Sequence, residues 1–178
     1  MQKTPFWELR LQGTEMVEAY IALGSNVGDR ESNIKRAMDL LKEKTTLISC
    51  SSLYETRPMY MEEQGWFLNA AAEIETYFTA RQLLYFLKGI EKTLGRKPVE
   101  RNGPRIIDLD ILFYGDQILK QNGLQVPHPK MAERAFVLVP LVEIAPTHIH
   151  PVQHKTISRL LSELNYSKAE IKIKKLTL

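Results

Sequence analysis

The chain has few of the features that mark secreted and membrane-spanning proteins. It contains one cysteine, Cys50, in 178 residues, which excludes an internal disulfide framework and favours a reducing compartment. No apolar run is long enough to span a bilayer, and the first residues lack the apolar stretch of a signal peptide. We therefore expect a cytoplasmic protein that has no membrane partner.

The chain also carries only a small excess of positive charge. The 24 lysines and arginines against 21 aspartates and glutamates leave a formal net charge of +3. This excess is too small to indicate general nucleic-acid binding, although it fits a local site for an anionic ligand. No long linker or composition shift divides the chain, so its length predicts one folded domain.

The hydrophobic pattern alternates between strand and helix periods. Four segments have the strand pattern: 19–25, 47–58, 67–76 and 106–115. Helical periods follow two candidate N-caps, Asp29 and Thr79. The order β, α, β, β, α, β is the split βαβ pattern of ferredoxin-like folds, so we expect an α+β fold with an antiparallel sheet.

Further elements are predicted after this core. Helical stretches are expected over 131–145 and 156–164, and the alternation in EIKIKKLTL (170–178) predicts an exposed edge strand. The segment LGSNVGDR predicts a tight turn and a helix cap. It lacks both the Lys-Ser/Thr pair of a P-loop and the glycine spacing of a dinucleotide site.

Two carboxylates interrupt the apolar run GPRIIDLDILFYG (103–115). In a strand Asp108 and Asp110 lie on one face, and Ile107, Leu109 and Ile111 lie on the other. Close carboxylates repel each other unless a positive group lies between them. The simplest such group is a divalent metal ion, and carboxylate oxygens suit a hard cation such as magnesium.

Basic residues lead directly into this pair. The segment GRKPVERNGPR carries Arg96, Lys97, Arg101 and Arg105. Because a guanidinium matches phosphate oxygens, the combined pattern indicates a site for a metal-bound polyphosphate. A solvated basic loop beside two surface aspartates is the alternative, since an Asp-x-Asp pair is by itself a weak signal.

Two other segments carry candidate binding residues. VPHPKMAERAF contains His128, which can donate a hydrogen bond to a phosphate but is more often a packed or capping residue. In FLNAA, Phe67 and Asn69 share a strand face. A ring and an amide can hold a flat heterocycle, although a core Phe and a strand-end Asn are ordinary too.

Taken together, these segments resemble a known family. ALGSNVGDR, YETRP, EEQGWFLNAA, IEKTLGR, GPRIIDLDILFYG and VPHPKMAERAFVLVPLVEIAP occur in the order and spacing of the 6-hydroxymethyl-7,8-dihydropterin pyrophosphokinases of folate biosynthesis. The resemblance runs from Ala19 to about Leu161. It implies a ferredoxin-like domain that transfers pyrophosphate from ATP to the hydroxymethyl group of the pterin and releases AMP.

The resemblance also implies roles for single residues on the nucleotide side. Asp108 and Asp110 match the ligands of two magnesium ions that bridge the triphosphate of ATP, the co-substrate. Arg96 and Arg105 match arginines at the phosphates and complete the expected catalytic set. Further matches to the ATP site are Glu91, His128 and Arg134.

On the pterin side, the resemblance implies two rings and a polar edge. Phe67 and Phe136 match the aromatic rings that enclose the pterin. Asn69 matches a hydrogen-bonding residue at its edge, and the main chain near Thr56 matches a further contact. The expected partners are therefore two small molecules, ATP and the pterin, and we expect a monomer that binds no nucleic acid.

The resemblance suggests boundaries within the chain. We expect an N-terminal extension or leader over 1–18, the pyrophosphokinase domain over 19–165 and a C-terminal tail over 166–178. Three positions depart from the family pattern: Asn102 replaces a tryptophan, Pro98 an arginine and Tyr60 a glycine. These departures bear on how the loops close over the site.

Two other functions stay open at this point. A ferredoxin-like RNA-binding module is one, although the strands lack its aromatic signature and the dense basic cluster adjoins two acids. A homologue that binds ATP or the pterin without catalysis is the other, because of Asn102 and Pro98. Pterin-dependent release of AMP distinguishes the enzyme from both.

Overall fold

The structure is a computed structural model that describes residues 15–59, 63–97, 103–167 and 171–174. Most of the predicted N-terminal extension, together with Tyr60, Pro98, Arg101 and Asn102, lies outside the described residues. Within those ranges no helix has the length and apolarity needed to cross a bilayer.

Strands and helices alternate along the chain. The strands are β1 (Val17–Ser25), β2 (Thr46–Cys50), β3 (Leu53–Thr56), β4 (Phe67–Thr76), β5 (Asp108–Tyr114), β6 (Leu119–Gln121), β7 (Leu124–Val126) and β8 (Ile171–Lys174). The helices are α1 (Arg30–Lys42), α2 (Ala80–Thr93), α3 (Ala135–Ile144) and α4 (Ile157–Glu163), with a 3₁₀ turn at Met131–Glu133.

The main sheet has the strand order β5-β1-β4-β3-β8, and β2 also pairs with β4. All of its pairs are antiparallel. The expected α+β fold with an antiparallel sheet is therefore confirmed. β6 and β7 form a separate two-stranded sheet.

Both predicted N-caps are present. The Asp29 carboxylate accepts a hydrogen bond from the Ser32 amide at 3.0 Å. Thr79 and Gln82 form a reciprocal capping box at the start of α2. Gly95 follows the end of α2 with a φ of +90°, a left-handed conformation that favours glycine. These local signals explain why both helices begin where the sequence predicted and why α2 ends before Gly95.

The sheet is covered on both faces. On one face Leu109, Ile111 and the alternating positions Leu68–Ile74 of β4 pack against α1 and α2. On the other face Tyr20, Ala71 and Phe113 pack against α3 and α4. The opposite orientation of neighbouring side chains in β5 leaves Asp108 and Asp110 on the second face, beyond the end of its apolar core.

Three elements differ from the sequence prediction. The segment 47–58 forms two strands, because Ser51 replaces a regular ladder pair: its amide donates to Ala71 O and its hydroxyl accepts from Ala71 N, each at 2.9 Å. The hairpin of β6 and β7 was not predicted, although Asn122-Gly123 is a strong hairpin signal. The stretch 131–145 divides at Arg134, whose backbone is extended.

A hydrogen-bonded glutamate fastens the second face. Glu143 in α3 accepts from the amide and hydroxyl of Ser52, at 2.8 and 2.9 Å, and from the Tyr54 hydroxyl at 2.8 Å. Burial and this hydrogen bond raise the pKa of Tyr54 to about 12. α3 is thereby fixed against the start of β3.

His150 generates a prediction about pH. It is 5% exposed, its Nδ1 accepts from the amides of Val152 and Gln153, and burial lowers its pKa. The unfolded chain therefore binds more protons than the folded one, so stability falls as the pH drops below about 6.5. His150→Asn, which keeps an acceptor, should flatten this fall.

Urea unfolding at several pH values between 5 and 7 measures this effect. His154→Asn is the matched control, because His154 is exposed and its φ of +54° suits asparagine. An equal slope of the unfolding free energy against pH in the parent and in His150→Asn would contradict the prediction.

Candidate active site

A cavity opens where four strands of the main sheet meet at one end. Gly24 in β1 pairs with Asn69 in β4 on one side and with Asp108 in β5 on the other. β3 adds Thr56, which pairs with Phe67. Antiparallel pairing thus brings residues that are more than 80 positions apart in the chain to the same end of the sheet. Sequence spacing alone does not show this proximity.

The two arginines hold the first acid from both sides. Arg96 Nη1 lies 2.6 Å from Asp108 Oδ1, and Arg105 Nη1 lies 2.6 Å from Asp108 Oδ2. Burial alone would raise the pKa of Asp108, but the two guanidinium groups hold that pKa below its ordinary value. Asp108 is therefore ionised at neutral pH.

The second acid has a different partner. Asp110 Oδ1 lies 3.8 Å from Lys88 Nζ, and its side chain is 38% exposed. Lys88 also donates to Glu91 Oε1 at 2.7 Å and to Leu109 O at 3.0 Å. Asp110 is thus the more open carboxylate of the pair.

Glu91 links the two cations, Lys88 and Arg96, that contact the acids. It is 3% exposed, and its Oε1 contacts Lys88, Arg96 and the amide of Leu109. A buried carboxylate is costly unless it is paired, and Glu91 has two cations and one N–H group around it. It therefore orients Arg96 and Lys88 toward the acids that line the cavity.

His128 is held at the other edge of β5. Its amide donates to Leu112 O at 3.0 Å, and its Nδ1 accepts from the Lys130 amide at 3.2 Å. Burial lowers the pKa of His128, and the nearby Asp110 opposes this shift only in part. A neutral ring that accepts at Nδ1 carries its proton on Nε2, so His128 is a hydrogen-bond donor.

Aromatic residues and an amide line the opposite end of the cavity. Phe67 and Phe136 contribute rings, and Asn69 Nδ2 donates to the Thr56 hydroxyl at 2.7 Å. The guanidinium of Arg134 lies 5.6 Å from the centroid of Phe136. A flat polar ring placed here has apolar faces above it and a hydrogen-bonding edge beside it.

The structure brings the predicted residues into one cluster. Nine of them line the cavity: Thr56, Phe67, Asn69, Arg105, Asp108, Asp110, His128, Arg134 and Phe136. The other two, Glu91 and Arg96, form the layer behind Asp108. A second cavity shares Asp110 and His128 with the first and extends to Leu84 and the β6–β7 hairpin.

Three residues of the cluster were missed in the sequence. Lys88 lies three residues before Glu91 in α2, a spacing that places both on one helix face. Gly24 was read as part of a turn, yet a Cβ there would lie 3.1 Å from Asn69 Oδ1. Asn26 links two loops: it donates to Gln64 at 2.9 Å and accepts from the Arg105 amide at 2.8 Å.

The donor set of this site suits a metal that a ligand helps to bind. Among the described residues no group of three or more His, Cys, Asp or Glu side chains forms a complete metal cage. Mg²⁺ is commonly held by one or two carboxylates together with substrate phosphates. The cavity thus combines an acid pair, arginines and an aromatic pocket, which are the chemical groups that a metal-bound polyphosphate and a flat ring would require.

Comparison with known proteins identifies the family of the chain. Residues 20–146 match the family model of 7,8-dihydro-6-hydroxymethylpterin-pyrophosphokinase. The chain belongs to this family.

Several curated relatives are similar over most of the chain. The 2-amino-4-hydroxy-6-hydroxymethyldihydropteridine pyrophosphokinase of Aquifex aeolicus is 40% identical over 83% of this chain and 92% of its own length. That of Bacillus subtilis is 48% identical over 71% and 77%. A folic acid synthesis protein of Dictyostelium discoideum is 45% identical over 79% of this chain, which spans only 22% of that longer protein.

Solved structures support the fold. The HPPK-DHPS protein of Plasmodium falciparum, in its A437G form with pteroate, superposes with a TM-score of 0.70 at 18% identity. The match covers 91% of this chain and 47% of that one. At this level of identity the likeness concerns the fold alone.

Lys88 generates a prediction about metal binding. Replacing it with Met removes the cation beside Asp110, so a divalent ion no longer competes with an internal partner. Two unit charges about 4 Å apart in a solvated site attract each other by an energy equal to roughly a factor of five in binding affinity for the metal. Lys88→Met should therefore bind Mn²⁺ more tightly by about that factor, as measured by electron paramagnetic resonance of the ligand-free protein.

Lys92→Met is the matched control, since it removes the same charge one turn further along α2 from an exposed position. If both variants bind Mn²⁺ like the parent, Lys88 is not a competitor of the metal.

Proposed function

We propose that this chain transfers pyrophosphate from ATP to the hydroxymethyl group of 6-hydroxymethyl-7,8-dihydropterin and releases AMP. One observation carries the proposal: the acid pair and the aromatic pocket line the same cavity. Membership of the pyrophosphokinase family supports it. The chain spans about a fifth of the length of the first curated relatives that it matches.

Asp108 and Asp110 would hold two magnesium ions, which when bound neutralise phosphate charge and orient the β-phosphorus for attack. The donor set supports this assignment, because both ligands are carboxylates on one strand face and Asp110 is open to the cavity. Asp108 first has to release Arg96 and Arg105. These arginines then have free guanidinium groups for the phosphate oxygens.

Glu91 and the other basic groups complete the nucleotide side. Glu91 holds Arg96 in place while that arginine changes partner. His128 donates a hydrogen bond to a phosphate oxygen from Nε2, and Arg134 adds positive charge where the nucleotide meets the pterin. The second cavity, which shares Asp110 and His128, offers room for the nucleoside part of ATP.

The pterin lies between Phe67 and Phe136 in this proposal. Asn69 hydrogen-bonds to the heterocycle edge, and its own amide is oriented by the Thr56 hydroxyl. The main chain near Thr56 supplies a further contact. Stacking with two rings orients the hydroxymethyl group toward the phosphate side of the cavity.

The chemical step is a displacement at phosphorus. The hydroxymethyl oxygen forms a bond to the β-phosphorus, and the bond from that phosphorus to the oxygen of AMP breaks. The hydroxyl proton leaves to solvent. Positioning and charge stabilisation supply most of the acceleration in such reactions, so the residues need no dedicated general base.

We also propose a fold arrangement, domain bounds and a cellular state for this chain. We assign the core to the ferredoxin-like arrangement, which the strand order β5-β1-β4-β3 supports. We also propose that residues 19–165 form the catalytic domain. A cytoplasmic monomer remains our prediction for the chain as a whole.

Nucleotide release tests the proposed reaction. Mixing the protein with Mg-ATP and the pterin should yield AMP, and omitting the pterin should abolish it. The double variant Asp108→Ala, Asp110→Ala should lose at least about a hundredfold in rate, since it lacks both metal ligands. Chromatography of the nucleotides measures the release.

Asp39→Ala is the control, because Asp39 is an exposed acid on α1. If AMP forms without the pterin or persists in the double variant, the proposed reaction is wrong. If no AMP forms although both ligands bind to the parent, the protein is a binding homologue.

Gly24 generates a second prediction about the pterin side. In Gly24→Ala the new methyl group would lie 3.1 Å from Asn69 Oδ1 and displace that amide. Losing one well-oriented hydrogen bond should weaken pterin binding roughly threefold to tenfold. Fluorescence titration with the pterin measures it.

Gly89→Ala is the matched control, because its added Cβ would meet no atom within 4 Å apart from its chain neighbours and the backbone of its own helix, and alanine favours the helix. Equal pterin affinity in Gly24→Ala and the parent would show that Asn69 does not depend on the space at Gly24.

A further inference from the structure

The C-terminal strand lies outside the part of the chain that matches the family. The match covers residues 20–146, whereas β8 begins at Ile171. β8 nevertheless belongs to the main sheet, where it pairs antiparallel with β3 over four residues. It therefore contacts the strand that carries one wall of the cavity.

β8 changes the position of β3 in the sheet. Thr56 pairs with Phe67 on one side and with Ile171 on the other. Without β8, β3 would be an edge strand with one row of unpaired backbone groups. The backbone at Thr56 is thus fixed from both sides, at the point where it is expected to contact the pterin.

A side chain of β8 also contacts the residue that precedes Phe67. Lys172 pairs with Glu55 across the strands, and its Nζ lies 5.1 Å from the ring centroid of Trp66. This geometry is that of a cation–π contact. Trp66 immediately precedes Phe67, so a contact that orients Trp66 acts next to the stacking ring.

Arg30 holds the same tryptophan from its backbone. Its Nη1 donates to Trp66 O at 2.7 Å, and its Nη2 lies 2.6 Å from Glu55 Oε1. Lys172 and Arg30 together restrain both the ring and the carbonyl of Trp66. Trp66 is the last residue of the loop between β3 and β4. This loop contributes Met59 and Gln64 to the cavity.

We propose that β8 is a positioning element for the pterin side of the site and that Lys172 is its main side-chain contact. The inference rests on the proposed function, because it names the ligand whose binding the strand favours. The nucleotide side lies across the cavity on β5. Changes in β8 should therefore lower the affinity for the pterin and leave the affinity for ATP nearly unchanged.

The first test replaces Lys172 in a Trp7→Phe background, where Trp66 is the one remaining tryptophan. Lys172→Met should change the Trp66 emission of the ligand-free protein. It should also raise the dissociation constant of the pterin about twofold to fivefold, as expected for an exposed cation–π contact. Affinity for Mg-ATP should change by less than this, and Lys172→Arg should restore both signals.

Lys42→Met is the matched control, since Lys42 is an exposed lysine on α1. A truncated chain that ends at Ser167 provides the second variant, and its pterin affinity should fall further than that of Lys172→Met. If the truncated chain does not fold, the Lys172 series decides.

The outcomes separate this inference from the proposed function. Unchanged Trp66 emission in Lys172→Met, or equal losses of pterin and ATP affinity with a lowered melting temperature, would overturn the positioning role. Failure of the parent to bind the pterin would instead contradict the proposed function. In that case the Trp66 emission alone still decides whether Lys172 orients the tryptophan.

Discussion

The site depends on the pairing of Asp108 with Arg96 and Arg105. A partly buried carboxylate at the start of β5 would be unfavourable without these two cations, and the cations would repel each other without the acid. Glu91 places a second carboxylate beside Arg96. The end of α2, the loop before β5 and β5 itself are thereby held together by charge as well as by apolar packing.

This pairing has a consequence for ligand binding. In the proposed reaction, the acids and the arginines exchange partners: the carboxylates turn to the metal and the guanidinium groups turn to the phosphates. Each group then keeps an opposite charge beside it in both states. Because the favourable contacts are replaced and not simply lost, the protein can bind a highly charged ligand without leaving unpaired ions.

The aromatic end of the cavity, where we propose that the pterin binds, is organised by different forces. Its walls include rings and strand backbone, and a neutral amide–hydroxyl contact joins Asn69 to Thr56. β8, which follows the part of the chain that matches the family, pairs with β3, and its Lys172 contacts Trp66, the residue before Phe67. The two ends of one cavity are thus supported by separate elements, so the two ligands that we propose would be held by different parts of the fold.

Local patterns accounted for much of this protein. The alternation around Asp108 placed both acids on one face, and the caps at Asp29 and Thr79 marked the starts of two helices. These features depend on neighbours within a few residues, so a sequence can reveal them. The division of 47–58 into two strands was missed because it depends on Ser51 contacting Ala71 on another strand.

Tertiary structure decided the remaining features. Lys88 faces Asp110 only because α2 packs beside β5, and Gly24 adjoins Asn69 only because β1 lies between β4 and β5. The sequence by itself determined which residues carry charge, rings and caps, since those properties belong to single residues and short segments. Which of them meet was decided by strand order and register, because these contacts join residues far apart in the chain.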